Sequence, residues 1–323
     1  MFEVYKPSGA FGIVFVPLLV AMLAIGIALA YLYQMLLEWI PFIYVTFILT
    51  IIFGACLGAF GRLVVKAGSV RNVLIAGIIG LVIGGGSHAA KFWFQYERIL
   101  WEAAEIKAEE ENKTVEQAHQ EMRRDLSFWQ HIKLRVDLGW ELNGGAPIAG
   151  FFVYLIWLIE AGIVIGLAVM MPNAASKEPF SEKTGQWASE ESTIMMLPID
   201  NPEMVDKISQ ATDVDQLLTI PIPKSDETNQ FAVYVVNSIM GQDMEDAYLT
   251  VNLTTITYDK DGTEQKKEQP LVKYAILTSE QRVQLNENAE LLNEAIAAYQ
   301  QAKYSGELAK PGEDAESPLD EQA

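Results

Sequence analysis

The stretch PIAGFFVYLIWLIEAGIVIGLAVMM, residues 147–171, decides the fold class. A hydrocarbon layer about 30 Å thick is crossed by about 20 apolar residues in helix. This run meets that length and carries one charge, Glu160. Residues 11–33, 40–60 and 73–94 meet the same test, so four transmembrane helices are expected. The first run exceeds the roughly 7–15 apolar residues of a cleavable signal and reads as a retained anchor. Pro17 inside it is tolerable where neighbouring helices satisfy the freed carbonyl.

Charge sets the orientation. The loop GRLVVKAGSVRN between the second and third runs carries Arg62, Lys66 and Arg71 and no acid, whereas the loop between the first two has only Glu38. The positive-inside rule places the basic loop and both termini in the cytoplasm. The outer loop, residues 95–146, has seven basic residues but eleven acidic ones, and a segment of that length constrains topology weakly. It reads as helix, with Thr114-Val-Glu-Gln117 as a capping box that restarts it after Asn112. Trp101, Phe128 and Trp129 are spaced to touch a membrane surface or the span ends. His119 and His131 read as surface histidines, because no cysteine lies near them to complete a metal site.

Beyond the fourth run the pattern changes. Asn201-Pro202-Glu203 is an N-cap, a proline at the first helical position and a first-turn acid. The segments FAVYVVNSIM, DAYLTVNLTTITY and PLVKYAILT are rich in β-branched and aromatic residues and read as strands. In the second of them Leu249, Val251 and Leu253 share one face while Ile256 and Tyr258 fall in the opposite phase, which points to a bulge near Thr254 and Thr255. A helix then runs from Thr278 or Ser279 to about Lys303, with Leu285, Leu292, Ile296 and Tyr299 along one stripe.

The expected fold is therefore an α-helical membrane bundle of four transmembrane helices plus a small cytoplasmic α+β domain with an antiparallel sheet. Its divisions are an N-terminal segment at 1–10, the membrane domain at 11–172, a linker at 173–192, the α+β domain at 193–303 and a disordered acidic tail at 304–323. From Asn173 onward 28 Asp and Glu face 11 Lys and Arg, so the end of the chain holds most of the net charge of −19. Such a surface repels phosphate backbones, which argues against nucleic acid, and either solubilises the domain or meets a basic partner. One cysteine, Cys56, excludes a disulfide framework or thiolate zinc site within the chain. No P-loop, GxSxG, HExxH or GxGxxG arrangement is present, and three histidines leave little material for a nucleophilic triad. No enzyme activity, cofactor or metal is expected.

Small residues recur at helical spacing: Gly54 and Gly58, Gly80 and Gly84, Gly162 and Gly166. Lacking Cβ atoms, they let membrane helices approach closely, within the bundle or between chains. Glu160 is the sharpest single residue. A carboxylate in the apolar layer is costly and pairs inside the bundle, docks a partner, or moves ions or protons. Ser87, His88 and Lys91 read as too near the outer end of the third run to reach it, leaving Tyr44, Thr46 and Thr50 as neutral hydrogen-bonding partners. Asp259-Lys-Asp-Gly262 starts like a calcium loop but lacks the distal ligands, and an Asp-Gly turn between strands accounts for it.

Taken together, residues 41–58, Val70-Arg71-Asn72, the Trp157-x-x-Glu160-Ala161 motif and residues 179–187 resemble, in that order, a family of uncharacterised bacterial integral membrane proteins with four spans. The resemblance covers roughly the first 190 residues and carries no activity. It implies a cytoplasmic Pro-Phe-Cys-x-x-Cys-x-x-Trp knuckle. Here the sequence reads PFSEKTGQW, with Ser181 and Thr184 where the family pattern has cysteines, and Trp187 retained. Hydroxyls are poor zinc ligands, so the turn is expected without metal. The leading expectation is a non-enzymatic scaffold or accessory subunit lodged in the lipid bilayer of the bacterial inner membrane that the resemblance implies, acting with a protein partner or as a homo-oligomer. The alternative is a small transporter or channel subunit that uses Glu160.

Overall fold

The computed structural model describes residues 3–40, 43–139, 148–199, 201–219, 228–239 and 247–305. The chain forms two compact units, one of residues 7–178 and one joining the residues up to Lys6 with those from Pro179 onward. Most of the acidic tail read at 304–323, part of the outer loop and the start of the fourth run at Pro147 lie outside the described residues.

The first unit is helical: α1 (Phe15–Trp39), α2 (Ile43–Ala67), α3 (Val73–Glu111), α4 (Val115–Asp125), α5 (Phe128–Leu138) and α6 (Phe151–Ala175). Four of these, α1, α2, α3 and α6, are long and apolar enough to cross a membrane. They run past the ends read at 33, 60 and 94, because the helical backbone continues where the side chains turn polar. The 39 residues of α3 reach about 58 Å at 1.5 Å per residue, nearly twice an apolar layer. Asn72 starts α3 by accepting from the backbone N–H groups of Leu74 and Ile75, and Asn112 ends it in the left-handed conformation at φ 50°.

Thr114 with Gln117 and Ser127 with Gln130 form capping boxes that open α4 and α5. Helix α4 returns along α3, packing Ala118 and Val115 on Ala104 and Ala108. Helix α5 then lies on the Tyr96 region of α3, where Phe128 meets Trp93 and Tyr96 at ring separations of 5.9 and 5.6 Å. This folding back corrects the expectation of surface histidines. His119 is stacked on Trp101 at 4.1 Å, and His131 is fully buried.

The second unit holds β1 (Phe180–Ser181), β2 (Gln186–Trp187), β3 (Glu190–Pro198), α7 (Pro202–Ser209), α8 (Val214–Leu218), β4 (Gln230–Ser238), β5 (Ala247–Tyr258), β6 (Glu264–Leu277) and α9 (Ser279–Ser305). The strands β3-β4-β5-β6 form one antiparallel sheet in sequence order. Alternate residues Ala232, Tyr234 and Val236 of β4 and Leu249 and Val251 of β5 face a core closed by Ile208 of α7, Leu217 of α8 and Leu285 and Leu292 of α9. The one polar atom of Tyr234 is satisfied there, its hydroxyl donating to the Leu217 carbonyl at 3.3 Å.

Three expectations about this unit are corrected. The sheet opens with a strand absent from the sequence reading, Glu190–Pro198, so the α+β domain read at 193–303 starts earlier, and the stretch read as a linker divides between Glu178 and Pro179. The N-terminal segment does not stand alone: Val4 bridges Ala275 of β6. The bulge lies elsewhere, since Thr254 and Thr255 pair regularly with Glu268 and Lys267. Leu249 faces Ala275, Val251 faces Val272 and Asn252 faces Pro270, so β6 carries an extra residue at each of two successive steps, and Tyr274 in the first adopts φ 55°. Ile256 and Tyr258 change phase for a simpler reason: β4 ends its pairing at Thr255, and the hairpin runs on without a core to face.

Candidate functional site

Four buried polar side chains of the helical unit meet in one place. Tyr33 of α1, Thr50 of α2, Lys91 of α3 and Glu160 of α6 meet inside the bundle, so a single cluster joins all four long helices. Lys91 Nζ lies 2.5 Å from Glu160 Oε1, and the Tyr33 hydroxyl donates to the same oxygen at 2.8 Å. Thr50 Oγ1 is 2.8 Å from the Tyr33 hydroxyl and also 2.9 Å from the Thr46 carbonyl one turn back. Because Glu160 Oε1 accepts from both an ammonium and a phenol, the hydrogen-bond directions converge on the carboxylate.

Aromatic rings enclose this convergence. Tyr33 is stacked on Phe53 at 4.5 Å, Lys91 Nζ sits 4.6 Å from the Phe92 ring centre, and Phe92 stands edge-on to Trp157 at 5.1 Å. Tyr33, Thr50 and Lys91 are each less than 5% exposed. An ammonium and a carboxylate withdrawn from water this far attract each other strongly, and each alone would be costly to bury.

The cluster overturns the separation expected between Lys91 and Glu160. Glu160 lies nine residues into α6, about 14 Å from Phe151, and Thr50 seven residues into α2, about 10 Å from Ile43. Lys91 lies near this level because α3 stays buried well beyond residue 94, through Tyr96 and Leu100. Its four-carbon stem then carries the charge down the bundle. Of the neutral partners expected, Thr50 joins through Tyr33, Thr46 supplies only its carbonyl, and Tyr44 is 84% exposed.

A polar ladder rises from the cluster toward the end where α1 finishes. The side chain of Gln34 donates to Glu38 at 2.8 Å, Glu38 pairs with Arg98, and Arg98 pairs with Glu102 at 3.1 Å. In the other direction Ser87 and His88 are buried about one turn below Lys91, and beyond them the interior is apolar, with Leu57, Ile79, Ile83, Val164 and Ala168 fully buried. Among the described residues the next charged side chains, Arg62 and Lys66, belong to the opposite end. Both pair with Glu178, Arg62 at 3.1 Å. Arg71, the third basic residue, is held through its backbone to Gly9 and Ala10. The basic turn thus joins the chain that enters α1 to the chain that leaves α6.

The glycines divide into two sets. A Cβ on Gly80 would stand 2.3 Å from the Ala168 carbonyl oxygen, one on Gly58 2.7 Å from that of Leu167, one on Gly84 2.6 Å from the Ala168 methyl, and one on Gly54 3.0 Å from Val164 Cα. These four let α2 and α3 approach α6. Gly162 and Gly166 do not take part: nothing lies within 4 Å of the corresponding positions, and α6 offers Val164, Leu167, Ala168 and Met171 instead. A sequence spacing cannot tell which side of a uniformly apolar helix faces inward.

The turn at Ser181 and Thr184 closes a short two-stranded hairpin, with Ser181 buried. Gly185 N–H donates to the Ser181 carbonyl at 2.9 Å, Thr184 N–H reaches Ser181 Oγ at 3.3 Å, and Phe180 and Trp187 pack edge-on at 5.0 Å. Gly185 adopts φ 70°, which a residue with Cβ takes up with strain. Among the described residues no group of three or more His, Cys, Asp or Glu is placed to hold a metal ion. Compared with known proteins, the chain matches no family model, no curated protein and no solved structure.

Proposed function

We propose that the chain is an integral membrane scaffold or accessory subunit, without enzyme activity, that carries its acidic sheet domain on a four-helix anchor in a bacterial inner membrane. The observation that supports this reading best is the closed cluster: Lys91 and Glu160 satisfy each other, Tyr33 and Thr50 complete them, and one residue comes from every long helix. An arrangement of that kind fixes the packing of a bundle. The placement of charged groups agrees with it: beyond Ser87 and His88 the other half of the interior is apolar among the described residues, whereas an ion path needs polar groups through both halves of the layer.

The basic turn at Arg62, Lys66 and Arg71 favours a cytoplasmic position for both flanks of the anchor. Residues on either side of the helical unit belong to one compact unit, as expected of an even number of crossings. The acidic sheet domain then faces the cytoplasm, where a protein with a basic surface is its fitting partner.

A second reading, a transporter or channel subunit, draws on the ladder from Arg98 through Glu38 and Gln34 toward Glu160. Purification of the native protein in nanodiscs, with the mass and composition of the assembly determined for wild type and Glu160→Gln, separates the two. Loss of a stoichiometric assembly in the variant favours the scaffold. An unchanged assembly with loss of an ion flux measured in vesicles rejects it in favour of transport.

A further inference from the structure

One pair of inward-facing basic groups in the helical unit has no counter-charge among the described residues. His131 and Arg135 stand one turn apart on α5, close enough that the Arg135 charge acts on the imidazole. His131 is 1% exposed and packs on Tyr96 at a ring separation of 5.6 Å, and its Nε2 has no hydrogen-bond partner. Arg135 is partly buried, and its Nε is shielded from water and also without a partner. Burial pulls the guanidinium down from its ordinary value, and no described acid acts against that shift. Lys66, Lys91, Arg98, Lys107 and Arg123, by contrast, each pair with a carboxylate. The acids around α5 are engaged or turned away: Glu97 holds Arg123 and His119, and Asp125 and Asp137 are exposed.

The pair sits at the level where the apolar layer ends. Helices α3 and α6 run antiparallel, with Phe92 edge-on to Trp157 at 5.1 Å and Gly80 against Val169. At 1.5 Å per residue Tyr96 lies about 6 Å beyond Phe92, and Gly150 about 10 Å beyond Trp157 in the same direction. Phe128, at the start of α5, meets Tyr96, while the Val136 carbonyl near its end accepts from Gly150 N–H at 2.8 Å. The two anchorages differ by about 4–5 Å in height over about 12 Å of helix, so α5 lies across the end of the bundle. From that level, near Val153, to Pro172 beside Gly61 is about 20 residues of α6, the length that crosses an apolar layer. Trp93, Trp129, Phe151 and Phe152 are exposed around this level, as in the aromatic belts of membrane interfaces.

We infer that His131 and Arg135 form a binding site for a phosphate group, supplied by a lipid headgroup of the leaflet at this end of the bundle. A phosphate diester carries one negative charge and accepts at its free oxygens. The guanidinium offers donors in a planar fork that matches two of those oxygens at once. The imidazole donates beside it from Nε2, as the imidazolium or as the neutral tautomer with its hydrogen there. The anion removes the cost of a guanidinium left without a counter-charge, and the shielded surroundings strengthen each bond. The lipid source follows from the level of α5 and rests on the reading of the four long helices as membrane spans. The phosphate chemistry rests on the two unpaired groups alone.

The test uses the full chain purified in a maltoside detergent, which carries no phosphate. Native mass spectrometry with added phosphatidylglycerol is expected to show a single lipid retained by the wild type. Retention by Arg135→Gln is expected to be about tenfold weaker, the loss of one charge-assisted contact, and Arg135→Lys is expected to recover part of it. Equal retention by wild type and Arg135→Gln overturns the site. So does equal retention, by the wild type, of a diacylglycerol with the same chains and no phosphate. Displacement of the lipid from the wild type by inorganic phosphate upholds the site and overturns its lipid source. These last two comparisons stand even if Arg135→Gln fails to fold. Flotation of the reconstituted wild type with liposomes reads the anchor separately. Protein that floats but retains no phosphatidylglycerol in detergent sinks the site alone, and protein that retains it but does not float sinks the anchor alone.

Discussion

Lys91 Nζ and Glu160 Oε1 are 2.5 Å apart although the residues are 69 positions apart in the chain. They convert two costly charges into one neutral unit that ties α3 to α6 and, through Tyr33 and Thr50, to α1 and α2. Removing one partner of such a pair leaves the other buried and alone, which costs about 3–5 kcal/mol, whereas replacing both with apolar residues of similar size is close to neutral.

The double-mutant cycle therefore has a definite expected form. Lys91→Met and Glu160→Leu each lower the thermal unfolding midpoint of the detergent-solubilised protein sharply, and the two combined recover most of the loss. Additive effects in the double variant would show that the two side chains act independently and would sink the pairing argument.

The glycine faces give a second contrast. Gly80→Ala pushes a methyl against the Ala168 carbonyl, 2.3 Å from where the new atom would sit, so α3 and α6 must part. Overpacking of this kind costs about 1–3 kcal/mol. Gly162→Ala meets nothing within 4 Å and is expected to change stability by less than about 0.5 kcal/mol. Unfolding midpoints of the two variants, with the particle mass of each, provide the check. A change of mass in Gly162→Ala would assign that face to contacts between chains.

How much of this was legible in the sequence follows from what each signal encodes. Four apolar runs, the capping box at Thr114 and the N-cap at Asn201 are local patterns, and the helices stand where those patterns place them. The Lys91–Glu160 pair was missed because the run containing Lys91 was ended at the first cluster of polar residues, while the backbone carries α3 unbroken to Glu111. The glycine stripe on α6 misled because a helix apolar all round has no phase to reveal its inner side. The sequence points to a bulge on β5 whereas the extra residues are on β6, since one strand read alone cannot show its partner's register. Residues 3–5 gave no signal, being too short and too ordinary to read as a strand before the edge of β6 is known.

The turn at Ser181 and Thr184 is expected to bind no stoichiometric metal. Its two hydroxyls face a short hairpin closed by backbone bonds, and neither offers the thiolate or imidazole that zinc selects. Elemental analysis of the purified protein checks this: zinc near one equivalent that disappears in Ser181→Ala with Thr184→Ala would reverse it.

His131 supplies a pH dependence. It is 1% exposed on α5, its Nε2 has no hydrogen-bond partner, and Arg135 follows one turn later. Burial first, and then the Arg135 charge, hold the imidazole below its ordinary value of 6.5. The folded state thus keeps His131 neutral to lower pH than the unfolded state does. As pH falls through about 6.5 the unfolded form takes up the proton first, so this contribution to stability is complete above that region and is lost below it, levelling off once the folded form protonates as well. One proton limits the slope to about 1.4 kcal/mol per pH unit. Hydrogen exchange in α5, corrected for intrinsic rates, is expected to quicken between pH 7.5 and 5. His131→Leu should flatten that response while His119→Gln leaves it in place. A response that persists in His131→Leu would move the titrating group elsewhere in the hairpin of α3, α4 and α5.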